Sequence, residues 1–202
     1  MTCSNYRAIP LLNTAYKVLS CIIYGCISEY TERIIGAYQC GFRKGKSTIN
    51  QIFTLSQIME KTVENQIGIY HLFIEFKSAY DSIHREKLLC AMTEFGIPSK
   101  LIIFVKTTMT NVQCSVKIQS HLSEPIPTTR GVKQGDALAC LLLFNIALEK
   151  VIRDSGIQTR GTIFFKAVQI LAYADDIDLM TRTTPGLNEV ILKLEKSARI
   201  WD

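Results

Sequence analysis

The sequence predicts an α+β fold built on an antiparallel sheet, and three observations lead there. Helical periods and strand-like runs are mixed along the chain, not alternated as in a parallel α/β protein. Two apolar runs near the C-terminus are joined by a tight acidic turn at Asp175-Asp176, which reads as a hairpin. The 202 residues are 48% hydrophobic, enough for one real core, in one domain or one with two lobes.

The elements follow in order. Leu11 to Ile35 carries apolar residues at helical spacing and reads as one or two helices. A glycine-bearing loop spans Gly36 to Lys46. Ser47 is placed to cap a helix running to about Asn65, with Ile49, Ile52, Phe53, Leu55, Ile58 and Met59 expected inward. Ile69 to Phe76, rich in β-branched and aromatic residues, reads as a buried strand. A helix is expected from His84 to Phe95, stopped by Gly96 and Pro98, and another from Ser99 to Met109. Val112 to Gln119 alternates like a strand, and Glu124 to Arg130 is extended. Ala137 to Arg153 is an apolar helix. Thr162 to Tyr173 and Ile177 to Thr181 are strands, and Thr184-Pro185 starts a last helix, with Thr184 as its cap. That helix is still running at Trp201-Asp202, where the chain reads as truncated.

Composition excludes several classes. Hydrophobic content at this level excludes intrinsic disorder. The longest apolar run, Ala137 to Phe144, is 8 residues, far short of the roughly 20 that cross a bilayer. The seven cysteines are odd in number, irregularly spaced and without a C-x-x-C pair, which argues against both a disulfide framework and a zinc site. No signal-like apolar segment opens the chain. An intracellular protein of the cytoplasm or nucleus, with no membrane and no disulfide partner, is expected. The net charge is +5, and residues 1–68 include the basic cluster Arg43-Lys44-Gly45-Lys46. Such charge is compatible with nucleic acid without requiring it.

Carboxylates carry the chemistry. Asp175 and Asp176 sit between apolar strands, and Glu75 ends another buried strand, in Leu72-Phe73-Ile74-Glu75-Phe76. Taken alone, an Asp-Asp pair is most often a solvated turn. Three carboxylates brought together repel one another unless cations neutralise them, and Mg²⁺ is the natural partner. Two such ions about 4 Å apart suit phosphoryl transfer. Gly131-Val132-Lys133-Gln134-Gly135-Asp136 reads by itself as a loop before a helix.

In this order, Phe73-Ile74-Glu75-Phe76-Lys77-Ser78-Ala79-Tyr80-Asp81, Gly131 to Asp136 and Tyr173-Ala174-Asp175-Asp176 resemble the three central motifs of reverse transcriptases, nearest to those of non-LTR (LINE-type) retrotransposons. Tyr6 to Asn13 and Tyr38 to Thr48 resemble the two preceding motifs. The resemblance covers essentially the whole chain.

It implies a right-hand polymerase with an antiparallel palm sheet, fingers and no thumb. The fingers would be residues 1–68 and the palm 69–202, with about 97–130 returning to the fingers. Glu75, Asp175 and Asp176 would be catalytic and, with Phe76, would hold two Mg²⁺ ions (Mn²⁺ as a substitute). Arg7, Tyr80, Gln134 and Gly135 would bind the nucleotide, Tyr80 as the gate against a ribose 2′-hydroxyl. Arg43, Lys46 and Tyr173 would contact nucleic acid. The partners implied are an RNA template, a DNA primer and dNTPs. Asp81, Asp136 and Asp178 are expected to be structural or solvated.

Some positions depart from the family pattern. Position 75 is Asp in the family. Glu is one methylene longer, and a shift of about 1 Å can cost ~10²-fold in rate. Arg7-Ala8-Ile9-Pro10 stands for the usual Arg-Pro-Ile-Ser. Ala139 to Asn145 carries one leucine more than usual, which would rotate the following helical face by about 100°. Two readings follow: an RNA-directed DNA polymerase, or an impaired nucleic-acid-binding relic of the same fold. Gly41-Phe42-Arg43-Lys44-Gly45-Lys46-Ser47 approximates a phosphate-binding P-loop, but it is one residue short and no strand precedes it.

Overall fold

The computed structural model describes residues 10–76, 78–133, 136, 138, 142–157, 159 and 169–201. Helix α1 (Thr14–Ile34) starts where the Asn13 side chain accepts the Ala15 N–H, and it buries Ser20, Ile23, Ile27 and Thr31. Helix α2 (Thr48–Glu64) begins at a capping box formed by Ser47 and Asn50.

The inward face of α2 differs from the expectation. Ile49, Ile52, Phe53 and Met59 face outward, Ile52 and Phe53 at 63% and 65% exposure. The inner stripe is Gln51, Leu55, Ile58 and Thr62. Gln51 turns inward because its amide supplies donors to two main-chain carbonyls, those of Tyr38 (2.7 Å) and Ala172 (2.8 Å). Beside half-buried Leu55 and Ile58, the helix therefore lies over backbone that needs a polar partner.

Next come β1 (Tyr70–Glu75), the single turn α3 (Ala79–Ser82), α4 (Arg85–Glu94) and α5 (Ser99–Met109). Where one strand is expected over Val112–Gln119, the chain forms two short ladders. β2 (Gln113–Cys114) pairs with β5 (Ile126–Pro127), and β3 (Lys117–Ile118) with β4 (His121–Leu122). All four are exposed, so no buried face holds a longer register.

Helix α6 (Phe144–Asp154) is buried on nearly every side. Leu142 and Leu143, just ahead of it, lie in a π-helical turn. Such a turn closes over five residues instead of four and so holds one residue more. Of the segment expected to carry the extra leucine, residues 139–141 lie outside the described residues; Asn145 and Glu149 of α6 both reach the loop of residues 36–46.

Strand β6 is described over Gln169–Tyr173; residues 160–168, where the expected strand would begin, lie outside the described residues. β7 (Asp176–Thr181) leads to α7 (Thr184–Arg199). The cap of α7 is Thr183, not Thr184: its hydroxyl accepts the Gly186 N–H, and Pro185 sits within the first turn.

The main sheet has the order β1-β7-β6, with β7 antiparallel to both neighbours. Strand alternation sends Leu72, Ile74, Ile170, Ala172, Ile177 and Leu179 to one face, where they join the core with α4, α6 and α7. The other face bears Phe73, Glu75, Leu171, Tyr173, Asp176 and Asp178, and shares a cleft of about 490 Å³ with α2. No helix among the described residues is long and apolar enough to cross a membrane.

Candidate active site

The register of the sheet builds the site. Glu75 ends β1 directly opposite Asp176, the first residue of β7. Directly paired residues of antiparallel strands have Cα atoms about 5 Å apart and side chains on the same face. Two carboxylates 101 positions apart (176 − 75) therefore stand side by side at the mouth of the cleft, both exposed. Asp175 is half-buried on the turn between β6 and β7, one residue before Asp176. The other residue of that turn, Ala174, has φ +58°, a left-handed conformation uncommon outside glycine.

The loop from Gly36 to Lys46 packs on this turn. It meets β6 at a single parallel bridge, through Cys40 N–H to Ala172 O (2.9 Å) and Ala172 N–H to Tyr38 O (2.9 Å). Helix α6 holds its other side. Asn145 donates to Gly41 O at 3.0 Å. Glu149, buried, accepts the Gly36 N–H (2.9 Å), the Tyr38 hydroxyl and Arg153 Nε (2.7 Å). Burial beside this carboxylate raises the Tyr38 pKa, so the phenol stays a donor. Gly41 has no room for a side chain: a Cβ there would lie 2.1 Å from Ala174 N.

A facing carboxylate pair at the turn of an antiparallel hairpin, with helices packed behind the sheet, is an arrangement that known proteins can test. Residues 2–202 match the family model described as "Reverse transcriptase (RNA-dependent DNA polymerase)". The chain belongs to the reverse transcriptase family. It is 23% identical over 181 residues to the uncharacterized 149 kDa protein of transposon TX1 from Xenopus laevis, covering 88% of this chain and 14% of that protein. It is 23% identical over 190 residues to the Pol polyprotein of the type-1 retrotransposable element R2 of Nasonia vitripennis, covering 94% and 18%. The chain thus spans under a fifth of the length of either relative. Among solved structures, a telomerase from Candida tropicalis in complex with a TWJ fragment of telomeric RNA superposes with a TM-score of 0.60 at 15% identity. The match covers 90% of this chain and 31% of that one.

Reverse transcriptases as a family depend on divalent metal. Among the described residues, no group of three His, Cys, Asp or Glu side chains surrounds a single point. The donors that the sheet does offer are hard carboxylate oxygens on a facing, exposed pair, with Asp175 one residue away, and these fit Mg²⁺.

The remaining expected residues of the reverse transcriptase site fall in different surroundings. Phe76 follows Glu75, half-buried. Tyr173 is half-buried in the cleft, with the Phe42 ring 6.5 Å away. Lys46 is exposed next to the α2 cap. Tyr80 is buried against Phe144, with ring centroids 4.8 Å apart. The Arg43 side chain is 8% exposed, and its guanidinium donates to Glu32 (2.8 Å) and to the carbonyls of Gly36 and Gln39. It spends its donors inside the protein and braces the loop. Arg7, Gln134 and Gly135 lie outside the described residues.

The sequence reading missed Arg85 and the partners of two aspartates. Arg85 donates to the carbonyls of Met109, Thr128, Arg130 and Gly131 at 2.7–3.0 Å, tying α5 to the start of the Gly131–Asp136 loop. Asp136 is indeed structural: it is buried, accepts the Tyr16 hydroxyl at 2.7 Å, and Lys133 lies over the Tyr16 ring. Burial lowers the Lys133 pKa, opposed by the Asp136 charge. Asp178, on the same face as Asp176, is buried against His71 at 3.0 Å. Burial raises its pKa, and the His71 hydrogen bond opposes that. Asn145 and Glu149, polar residues spaced by four in an apolar helix, are the sequence signal that would have pointed to the contacts of α6 with the loop of residues 36–46.

Proposed function

We propose that this chain is a template-directed nucleotidyl transferase that extends a DNA primer along an RNA template. Glu75, Asp175 and Asp176, with Phe76, are the residues assigned to hold two Mg²⁺ ions. What chiefly supports the reading is the register that pairs Glu75 with Asp176 across two strands. Bound there, the metals would lower the barrier for attack of the primer 3′-hydroxyl on the α-phosphate of a dNTP and stabilise the leaving oxygen.

The chain's own residues set the rest. The two strands fix the spacing of the facing carboxylates. Arg7, Tyr80, Gln134 and Gly135 are assigned to the incoming nucleotide, Tyr80 as the gate against a ribose 2′-hydroxyl. Lys46 and Tyr173 are assigned to nucleic acid, and Arg43 serves it through the loop that it braces. Residues 1–68 are assigned to fingers and 69–202 to palm. The packing of α5 on α1 supports the return of about 97–130 to the fingers.

Primer extension on poly(rA)/oligo(dT) with Mg²⁺ or Mn²⁺ tests the reading. Incorporation is expected, lost in Asp175→Ala, and raised by up to ~10²-fold in Glu75→Asp, where the carboxylate returns to the shorter reach. No incorporation by either the native chain or Glu75→Asp, with RNA binding retained, would establish instead the non-catalytic relic that the longer Glu75 side chain favours.

A further inference from the structure

We propose that Gln39 is the positioning residue of the carboxylate turn, so that the loop of residues 36–46 sets where Asp175 and Asp176 point. The proposal rests on the polymerase reading for its consequence, but its geometry stands by itself.

Gln39 is 1% exposed. Its Nε2 donates to Ala174 O at 3.0 Å, and its Oε1 accepts the Ala174 N–H at 2.9 Å and the Gly41 N–H at 2.7 Å. One side-chain amide thus satisfies both main-chain groups of the turn residue, as a neighbouring strand would. The orientation of the amide is not free. A flipped amide would set its NH₂ against two N–H donors and its oxygen against a carbonyl. A side chain must carry a donor and an acceptor at this length to do the same, which leaves glutamine or a protonated glutamate.

The clamp sits where the backbone needs one. Ala174 is a non-glycine residue at φ +58°, a conformation that persists only where surrounding contacts over-determine it. Released, Ala174 relaxes towards negative φ, and the peptide that carries Asp175 turns with it. Asp176 would then lose its place opposite Glu75. The platform behind Gln39 is itself anchored, by Asn145 and Glu149 of α6 and by Gln51 of α2. The clamp therefore pulls against fixed points.

Two variants test it in the full chain. Gln39→Met keeps the volume and removes all three bonds. Gln39→Glu keeps the shape, and can donate to Ala174 O only while it holds its proton. In Gln39→Met, the Ala174 and Gly41 amides should exchange at least ~10-fold faster, while Leu179 in the middle of β7 keeps its protection. Mn²⁺ affinity should fall about tenfold. In primer extension kcat should fall at least ~10-fold, with KM for primer–template within about twofold. Gln39→Glu should track the native chain while protonated and track Gln39→Met once ionised, a pH step that the native chain lacks. If Gln39→Met does not fold, Gln39→Glu decides alone.

Unchanged Ala174 exchange in both variants, or loss of Leu179 protection in parallel with Ala174, would overturn the clamp. So would Mn²⁺ affinity and kcat within twofold of the native values despite faster Ala174 exchange. The exchange measurement needs neither metal nor substrate. Failure of both the native chain and Glu75→Asp to extend a primer therefore sinks the polymerase reading, and the exchange result still decides the role of Gln39.

Discussion

Replacing Gly41 by alanine should cost about 4 kcal/mol of stability, and the figure follows from three distances. A Cβ at this position would lie 2.1 Å from Ala174 N, 2.8 Å from Ala174 Cα and 2.9 Å from Tyr173 C, all backbone atoms that cannot rotate away. Ordinary contact is about 3.5 Å, so the loop must retreat by roughly 1.4 Å. That retreat stretches the bonds that cross from the loop to β6 and the turn, Cys40 N–H to Ala172 O (2.9 Å), Gln39 Nε2 to Ala174 O (3.0 Å) and Ala174 N–H to Gln39 Oε1 (2.9 Å), beyond hydrogen-bond length. Three bonds at about 1 kcal/mol each, plus about 1 kcal/mol for overpacking, give the total. Urea unfolding can be followed through Trp201, the single tryptophan of the chain. Primer extension should drop by ~10² for a turn displaced by about 1 Å. A destabilisation below about 1 kcal/mol would refute the close contact between loop and turn.

Other perturbations have equally definite outcomes. Tyr16→Phe removes the hydroxyl that Asp136 accepts and should cost about 2 kcal/mol in urea unfolding, since the bond is made to a buried carboxylate. Arg85→Ala deprives four carbonyls of one donor group and should cost about 3 kcal/mol, with Arg85→Lys intermediate because an ammonium cannot reach all four. Asp178 gives a pH signature. Its pKa is raised from 3.8 by burial, so between 3.8 and the raised value the folded chain holds a proton that the unfolded chain has lost. Stability from this group is present below that window and falls as pH rises through it. Asp178→Asn should flatten that slope in urea midpoints measured from about pH 4 upward; an unchanged slope would show that another group controls it.

The carboxylate pairing was legible in the sequence because both strands advertise themselves. Ile74 and Ile177 are apolar on the core face, and strand alternation then sends Glu75 and Asp176 to the other. The helix α2 was legible as a helix but not in its orientation. Periodicity points to Ile52 and Phe53, whereas the position of Gln51 is decided by carbonyls supplied from Tyr38 and Ala172, 13 and 121 residues away. The same holds for Gln39, Arg85 and Asn145. A buried polar side chain is placed by partners far along the chain, and its own neighbours in sequence say nothing about them. Tyr80 and Arg43 show the converse: a motif marks the position, and only packing reveals that one ring lies on Phe144 and that one guanidinium is held by Glu32.

The π-helical turn at Leu142 and Leu143 makes the length of this segment a quantity separate from its direction. Surplus chain is stored there as local girth, and everything downstream keeps its aim at the loop. Excising one leucine at the bulge should therefore be better tolerated than excising one inside α6, where Asn145 and Glu149 would come out of phase with Gly41 and Gly36. A buried helix can in this way gain or shed a residue ahead of the loop it holds while its grip on that loop survives.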